Sequence, residues 1–205
     1  SKAFILMVEL GNNKILDELA KATNDISKGE LIQLDAISNK EISLKNLEDI
    51  SYYKTGRLFE AAAKSGAILA DADPKYIKNI TNCSKNLGIV FQIKDDLLDY
   101  SENGALIGKP VFQDLKEGKV TYPFYFANKN ANDSEKIKLE SFLGKKNINQ
   151  KTVFKLISNL DGIRETEKLA LQYLKKAAKA ANLIDDKNIS KEMIELVNSA
   201  MYRKK

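Results

Sequence analysis

One stretch of the sequence, residues 73–100, reads DPKYIKNITNCSKNLGIVFQIKDDLLDY and decides the fold class. Asp73 followed by Pro74 is typical of a helix start, because aspartate caps the first free amides and proline lacks one. Apolar residues then recur at helical spacing, at Ile80, Cys83, Leu87, Val90 and Leu98. The stretch therefore predicts one long amphipathic helix that ends near residue 100.

The rest of the chain shows the same helical periodicity. Further helices are expected over residues 12–37, 44–70, 123–129, 133–144, 150–160, 163–182 and 190–203. Glycines and a proline crowd residues 101–119, which predicts a long irregular loop. No stretch alternates as a strand does, and no repeat or linker divides the chain. The sequence predicts a single all-α domain, a helical bundle over residues 1–205.

Composition narrows the chemistry. The 205 residues include no His and a single Cys, which excludes Ser-His-Asp triads, His-ligated metals and cysteine–zinc clusters. Carboxylates and lysines remain, and carboxylates without His suit a hard ion such as Mg²⁺. The net charge of +5 indicates general solubility. No basic run carries interleaved aromatics, so no nucleic-acid partner is expected.

The longest apolar run, residues 3–8, is far too short to span a bilayer. We therefore expect no stable membrane insertion and a cytoplasmic protein. The chain opens without Met and enters an apolar stretch at once, as if it began inside a helix. An N-terminal part is therefore expected to be missing.

Polar residues on apolar helix faces carry the functional signal. Lys54 falls on the face of Leu47, Ile50 and Leu58, where a buried lysine is costly unless it meets an anion. Gln33 shares the face of Ile15, and Gly29 offers a close backbone approach one turn earlier. Each residue also has a structural alternative to a binding role. Lys54 could extend along the bundle to reach water, and Gln33 could be a core amide whose hydrogen bonds are satisfied within the protein.

Three carboxylates cluster near the end of the long helix. Asp95 and Asp99 are one turn apart, with Asp96 beside them and Gln92 on the same row. These charges repel one another and oppose the helix dipole, and a cation would relieve that cost. A solvated acidic face is the alternative.

Lysines on glycine-hinged backbone follow, at positions 109, 116 and 119. The segment from Gly104 to Pro110 lacks the spacing of a phosphate-binding P-loop. A core-facing lysine, an acidic row and a lysine-bearing lid together suggest a polyphosphate held by Mg²⁺ and lysines. An apolar bundle interior would then hold an oily tail.

Four motifs in this order resemble those of the trans-isoprenyl diphosphate synthases, or polyprenyl synthetases. Residues 91–99 (FQIKDDLLD) resemble the family's second aspartate-rich motif, and Lys54-Thr55 resembles its Lys-Thr pair. Residues 29–33 (GELIQ) resemble its Gly-Glu-x-x-Gln segment, and residues 108–123 the stretch after the second motif. The match is specific between about residues 26 and 125 and generic beyond.

The resemblance implies antiparallel helices of the isoprenoid synthase type around a deep apolar cavity, usually in a homodimer. It implies Mg²⁺-dependent condensation of isopentenyl diphosphate with an allylic diphosphate, in which the ionised allylic group is attacked by the alkene. This is a chain-elongating prenyltransferase reaction.

The resemblance also implies residue roles. Asp95 would be the main Mg²⁺ ligand, supported by Asp96 and Asp99. Lys54 and Lys109 would hold the allylic diphosphate, while Thr55 and Gln92 would face the carbocation. The remaining expected substrate contacts are Gln33, near the reacting centre, Phe91, and Lys119, which would close the lid.

The family's first aspartate-rich motif and its N-terminal Gly-Lys-x-x-Arg segment do not occur in the sequence. The chain therefore resembles a C-terminal portion lacking the N-terminal helices, and we expect it to be inactive alone. The alternatives are a non-catalytic subunit of a heteromeric prenyl synthase, a class I terpene cyclase of the same fold, and a helical scaffold with incidental polar residues. The product chain length is left open.

Overall fold

The computed structural model describes residues 2–101 and 111–202, and every regular element within them is helical. This confirms the all-α fold class. In chain order the α-helices are α1 Lys2–Leu10, α2 Asn13–Asp35, α3 Leu44–Ser51, α4 Arg57–Leu69, α5 Pro74–Asp99, α6 Gln113–Lys116, α7 Tyr122–Asn130, α8 Asp133–Glu140, α9 Gln150–Asn159, α10 Gly162–Ala181 and α11 Lys187–Tyr202.

Side-chain caps set several helix starts. The Ser43 side chain accepts a hydrogen bond from the amide of Asn46, and that of Asp73 accepts one from Tyr76, as the sequence predicts for α3 and α5. Helix α8 is capped by Asn132 instead of the expected Asp133 or Ser134. Asn132 and Glu135 exchange hydrogen bonds in a capping box, which explains this earlier start.

The single helix expected over residues 44–70 is interrupted by a π-helical turn, Tyr52–Gly56. A π-turn holds about one residue more than an α-turn, so it rotates the following side chains by roughly 100°. Leu58, expected on the core face, is 53% exposed as a result, whereas Arg57 is buried. The predicted apolar face is therefore wrong at Leu58, whereas Ala61, expected on the same face, is fully buried.

Helix α5 lies at the centre and packs against α4, α10, α11 and the π-turn. Its Cys83, Val90 and Ile93 are fully buried in the main core. In the part of the chain that the structure describes, no helix is both long enough and apolar enough to cross a bilayer.

Two glycines let neighbouring helices approach the π-turn closely. A Cβ added to Gly29 of α2 would lie 2.7 Å from the backbone nitrogen of Lys54. A Cβ added to Gly88 of α5 would lie 2.6 Å from the Cα of Gly56. Both distances are shorter than side-chain packing permits. The π-turn is therefore held between α2 and α5 at contact distance.

Candidate functional site

A cavity of about 140 Å³ opens between the π-turn, α2, α3, the second half of α5 and the segment before α7. Its charged lining residues are Lys54, Asp95, Asp96, Asp114 and Lys119. The other lining residues are Gln33, Ala36, Ile42, Leu47, Ile50, Ser51, Gln92, Val120, Thr121 and Tyr122. The cavity thus combines cations, carboxylates and an apolar wall from α3.

Lys54 reaches the cavity from the π-turn. Its Nζ donates to Oε1 of Gln33 at 2.5 Å and lies 3.2 Å from a carboxylate oxygen of Glu30, both on α2. About a third of the Lys54 side chain is exposed. The close approach of Gly29 brings the two elements near enough for these contacts. Lys54 therefore has its charge partly balanced and is still open to an anion.

A chain of hydrogen bonds runs from the π-turn to α5. The hydroxyl of Thr55 donates to Oε1 of Gln92 at 2.7 Å. Nε2 of Gln92 donates in turn to Oδ1 of Asp96 at 2.9 Å. These bonds fix the orientation of the Gln92 amide, whose side chain lines the cavity. Thr55 stands behind Gln92 and does not belong to the described lining.

Asp96 is the buried carboxyl of the cavity wall, with 6% exposure. Burial raises the pKa of Asp96 to about 8, although the hydrogen bond from Gln92 lowers it. The amide of Tyr122 adds a long contact of 3.5 Å. The Tyr122 hydroxyl lies 2.9 Å from that of Ser51, which ties α7 to α3.

The three predicted metal ligands occupy different environments. Asp95 is exposed and lines the cavity, and Asp96 lines it from a buried position. Asp99 is buried, and the described lining does not include it. Its carboxylate accepts hydrogen bonds from the amides of Gln113 and Asp114. That Asp99 supports a metal ion stays a prediction.

Lys119 lines the same cavity as the α5 carboxylates Asp95 and Asp96. Its Nζ lies 2.6 Å from Glu117 and 3.8 Å from Asp114. The hydrogen bond to Glu117 raises the pKa of Lys119, so the group stays charged at neutral pH. Lys109, the second predicted diphosphate ligand, lies outside the described residues.

Phe91, a predicted substrate contact, does not join the other predicted contacts that the structure describes in the cavity lining, and its role in binding stays a prediction. Its ring packs against Phe59 of α4 with centroids 5.4 Å apart, and it is not among the described lining residues. Asp114 and Tyr122 also line the cavity, although no sequence motif marks a role for either. Asp114 could have been found from its position five residues before Lys119, in a segment already expected to form a lysine-bearing lid.

The donor set limits how a metal could bind. Among residues 2–101 and 111–202, no three His, Cys, Asp or Glu side chains converge enough to hold an ion by themselves. Mg²⁺ commonly takes only one or two protein carboxylates and completes its shell with water and substrate phosphates. Asp95 and Asp96 fit that pattern.

The sequence of this chain is similar to those of known polyprenyl diphosphate synthases. The family model for polyprenyl synthetases matches residues 1–160. Octaprenyl diphosphate synthase of Escherichia coli is 42% identical over 127 residues, which cover 62% of this chain and 39% of that protein. A nonaprenyl diphosphate synthase of Rhodobacter capsulatus is 28% identical over 204 residues, covering 99% of this chain and 62% of that one.

Solved structures agree with this similarity. A polyprenyl synthase of Caulobacter crescentus, complexed with calcium and isoprenyl diphosphate, superposes with a TM-score of 0.91 at 30% identity. The match covers 99% of this chain and 63% of that one. A decaprenyl diphosphate synthase of Rhodobacter capsulatus gives 0.88 at 28% identity, covering 97% and 62%. The chain thus spans less than two thirds of the length of these relatives.

Proposed function

The chain belongs to the polyprenyl synthetase family, and we propose that its cavity binds an allylic diphosphate for elongation by isopentenyl diphosphate. In that reaction the carbon–oxygen bond to the diphosphate breaks. The double bond of isopentenyl diphosphate then attacks the allylic cation, and a proton is lost from the adduct. The product is an allylic diphosphate longer by one isoprene unit.

One observation carries this proposal: two lysines, two α5 carboxylates and an apolar wall surround the same cavity. Lys54 and Lys119 suit a polyphosphate, because charge-assisted hydrogen bonds to phosphate oxygens are strong. Ile42, Leu47 and Ile50 suit the prenyl group. A site for a small polar ligand would not need that wall.

Asp95 and Asp96 would hold Mg²⁺ together with the diphosphate. When bound, the ion would neutralise charge on the departing diphosphate and so favour its release. The pattern of few carboxylates beside cationic side chains supports a metal shared with substrate. The Caulobacter relative carries calcium and isoprenyl diphosphate in its crystal structure, which supports the same pairing.

The remaining roles follow from the contacts of the π-turn. Lys54 would bind diphosphate oxygens, and Lys109 is assigned the same role by its sequence motif alone. The Gln92 amide, oriented by Thr55, would direct a dipole at the cation that forms when the diphosphate leaves. The side-chain oxygen of Gln33 accepts a hydrogen bond from Lys54 and would hold the ammonium group of that lysine towards the cavity. Lys119, which lines the same cavity, would supply a second ammonium group to the diphosphate.

A homodimer and a cytoplasmic location belong to the same proposal. Exposed apolar residues on α1 and α2 support self-association, with Ile5, Leu6, Val8, Leu31 and Leu34 each at least 50% exposed. Light scattering on the purified chain tests the dimer, and cell fractionation tests the location. A monomer with no concentration dependence would contradict the first.

Binding of inorganic pyrophosphate and of an allylic thiodiphosphate, which resists ionisation, tests the proposal. Titration calorimetry is run with and without Mg²⁺. We expect binding that needs Mg²⁺ and that weakens about 10- to 100-fold in Lys54→Ala, since a charge-assisted hydrogen bond contributes about 1.5–3 kcal/mol. The matched control is Lys191→Ala on α11, whose side chain is 79% exposed and is not part of the cavity lining.

The outcomes separate the candidate functions. Equal affinities of both lysine variants, or no effect of Mg²⁺, would contradict the proposed site. Turnover is then measured with isopentenyl diphosphate and an allylic substrate, for the chain alone and mixed with a full-length synthase. A longer linear diphosphate supports a prenyltransferase, a released hydrocarbon indicates a cyclase, and stimulation of the partner without ligand binding indicates a non-catalytic subunit.

A further inference from the structure

The Asp99 carboxylate bridges the end of α5 and the start of α6. Oδ1 accepts from the amide of Gln113 at 3.0 Å, and Oδ2 accepts from the amide of Asp114 at 3.2 Å. The backbone carbonyl of Asp99 also accepts from the amide of Phe112 at 2.8 Å. Three consecutive amides therefore bond to one residue, 6% exposed, that precedes them by 13 to 15 positions.

Helix α6 needs an acceptor from elsewhere in the chain. Its N-cap position is held by Phe112, which has left-handed dihedral angles (φ 58°, ψ 31°) and no side-chain oxygen. The first amides of a helix have no partner within it, and burying them unpaired is costly. Asp99 supplies the oxygens that an N-cap serine or aspartate would otherwise supply.

The position of α6 in turn shapes the cavity. Asp114 lies in this helix and lines the cavity directly. Its backbone carbonyl accepts from the amide of Lys119 at 2.8 Å, so the lysine is tied to the same short element. A shift of α6 would therefore move one carboxylate and one ammonium of the wall together.

We propose that Asp99 is a positioning residue, which anchors α6 and thereby sets Asp114 and Lys119 in the cavity wall, and that it does not ligate the metal. The inference rests on the proposed diphosphate site for its functional part. Asp95 and Asp96 are then the α5 carboxylates that face a metal.

Two substitutions at the same position separate anchoring from metal binding. Asp99→Asn keeps an acceptor oxygen but removes the charge, whereas Asp99→Ala removes both. Affinity for inorganic pyrophosphate is measured over a range of Mg²⁺ concentrations, with Asp95→Asn as the comparison. We expect about a threefold loss for Asp99→Asn and about a tenfold loss for Asp99→Ala, with an unchanged Mg²⁺ midpoint in both. Asp95→Asn should shift that midpoint upward.

A Mg²⁺ midpoint that shifts in Asp99→Asn as far as in Asp95→Asn would overturn the proposal. Hydrogen exchange at the amides of Gln113 and Asp114 gives a readout that needs no ligand. Exchange should be faster in Asp99→Ala, and unchanged protection there would also refute the anchor. Near-UV circular dichroism establishes that each variant is folded. If the unsubstituted chain binds no pyrophosphate, the proposed function fails while the exchange experiment still decides the anchor.

Discussion

Replacing Arg57 by Met removes the central cation of a buried charge network between α2 and α4. Nη1 of Arg57 lies 2.6 Å from Glu18, and Nε lies 2.9 Å from Asp25. The side chains of Arg57 and Glu18 are only 8% and 5% exposed. Lys64, 2.5 Å from the other oxygen of Glu18, would remain as its partner.

The expected loss follows from what is left behind. Breaking a buried ion pair by removing one partner costs about 3–5 kcal/mol, since a charge stays buried without compensation. Lys64 retains part of that compensation, so we expect the lower end, about 3 kcal/mol at pH 7. For a chain of this length the melting temperature should then fall by about 6–12 °C.

The pH dependence of the free energy of unfolding provides a second, independent test of the Arg57→Met substitution. Burial raises the pKa of Glu18, but hydrogen bonds from Lys64 and Arg57 outweigh it, and the net pKa is lowered. This carboxylate therefore contributes stability above its unfolded pKa, and the contribution is lost as pH falls through the folded value. Without Arg57 the pKa of Glu18 should rise, so the penalty of Arg57→Met should shrink from pH 7 towards pH 4.

Urea unfolding followed by far-UV circular dichroism measures both effects. The matched control is Arg164→Met, because Arg164 pairs with Asp161 at the surface with 62% of its side chain exposed. It should cost less than about 1 kcal/mol. A loss for Arg57→Met no greater than that of the control, or one independent of pH, would refute the reasoning.

The remaining predictions concern the π-turn and the core. Gly88→Ala should cost about 1–3 kcal/mol and weaken pyrophosphate binding, because its Cβ would collide with Gly56. Gly66→Ala, which meets nothing within 4 Å in helix α4, should instead stabilise by about 0.5–1 kcal/mol; equal urea midpoints for the two variants would contradict the clash. Burial raises the pKa of the Cys83 thiol to about 11, so iodoacetamide at pH 8 should modify it only after unfolding, as mass spectrometry would record. Rapid labelling of the folded chain would show that Cys83 is accessible.

Local signals explain why most of the fold was predictable. The caps at Ser43 and Asp73 are set by residues within three positions of the amides they satisfy. Apolar spacing then identifies the buried face of α5, where Cys83 and Val90 are fully buried. Such signals need no knowledge of the tertiary structure, so the sequence suffices for them.

The π-turn could not be predicted from periodicity. Residues 44–70 have the same sequence whether one turn is α-helical or π-helical, so the apolar spacing does not distinguish the two. The π-turn is instead held by tertiary contacts with Gly29 and Gly88. The burial of Arg57 depends on carboxylates 32 and 39 residues away in sequence. These interactions depend on how α2 and α5 pack against the turn. A helical wheel drawn for one segment carries no information about that packing.

The candidate site was predictable where a motif marked it and not where backbone atoms form it. Lys54, Gln92 and Asp95 carry side chains whose type suggested their chemistry. The contact between Asp99 and α6 uses backbone amides, which every residue type possesses, so no residue pattern announces it. Asp114 differs, because its carboxylate and its position five residues before Lys119 are visible in the sequence, and the structure then locates it in the wall.

The π-turn has a consequence for how easily this protein could lose the proposed ligand site. We expect a single-codon deletion within Tyr52–Gly56 that spares Lys54 and Thr55 to convert the turn to regular α-helix, because a π-turn holds about one residue more than an α-turn. The shortened protein would keep its helices and much of its hydrophobic core. The side chains of Lys54 and Thr55 would rotate by roughly 100° about the helix axis relative to α4. Homologues whose chain is one residue shorter at this turn are therefore expected to recognise their ligand differently, even where every side chain of the motifs is retained.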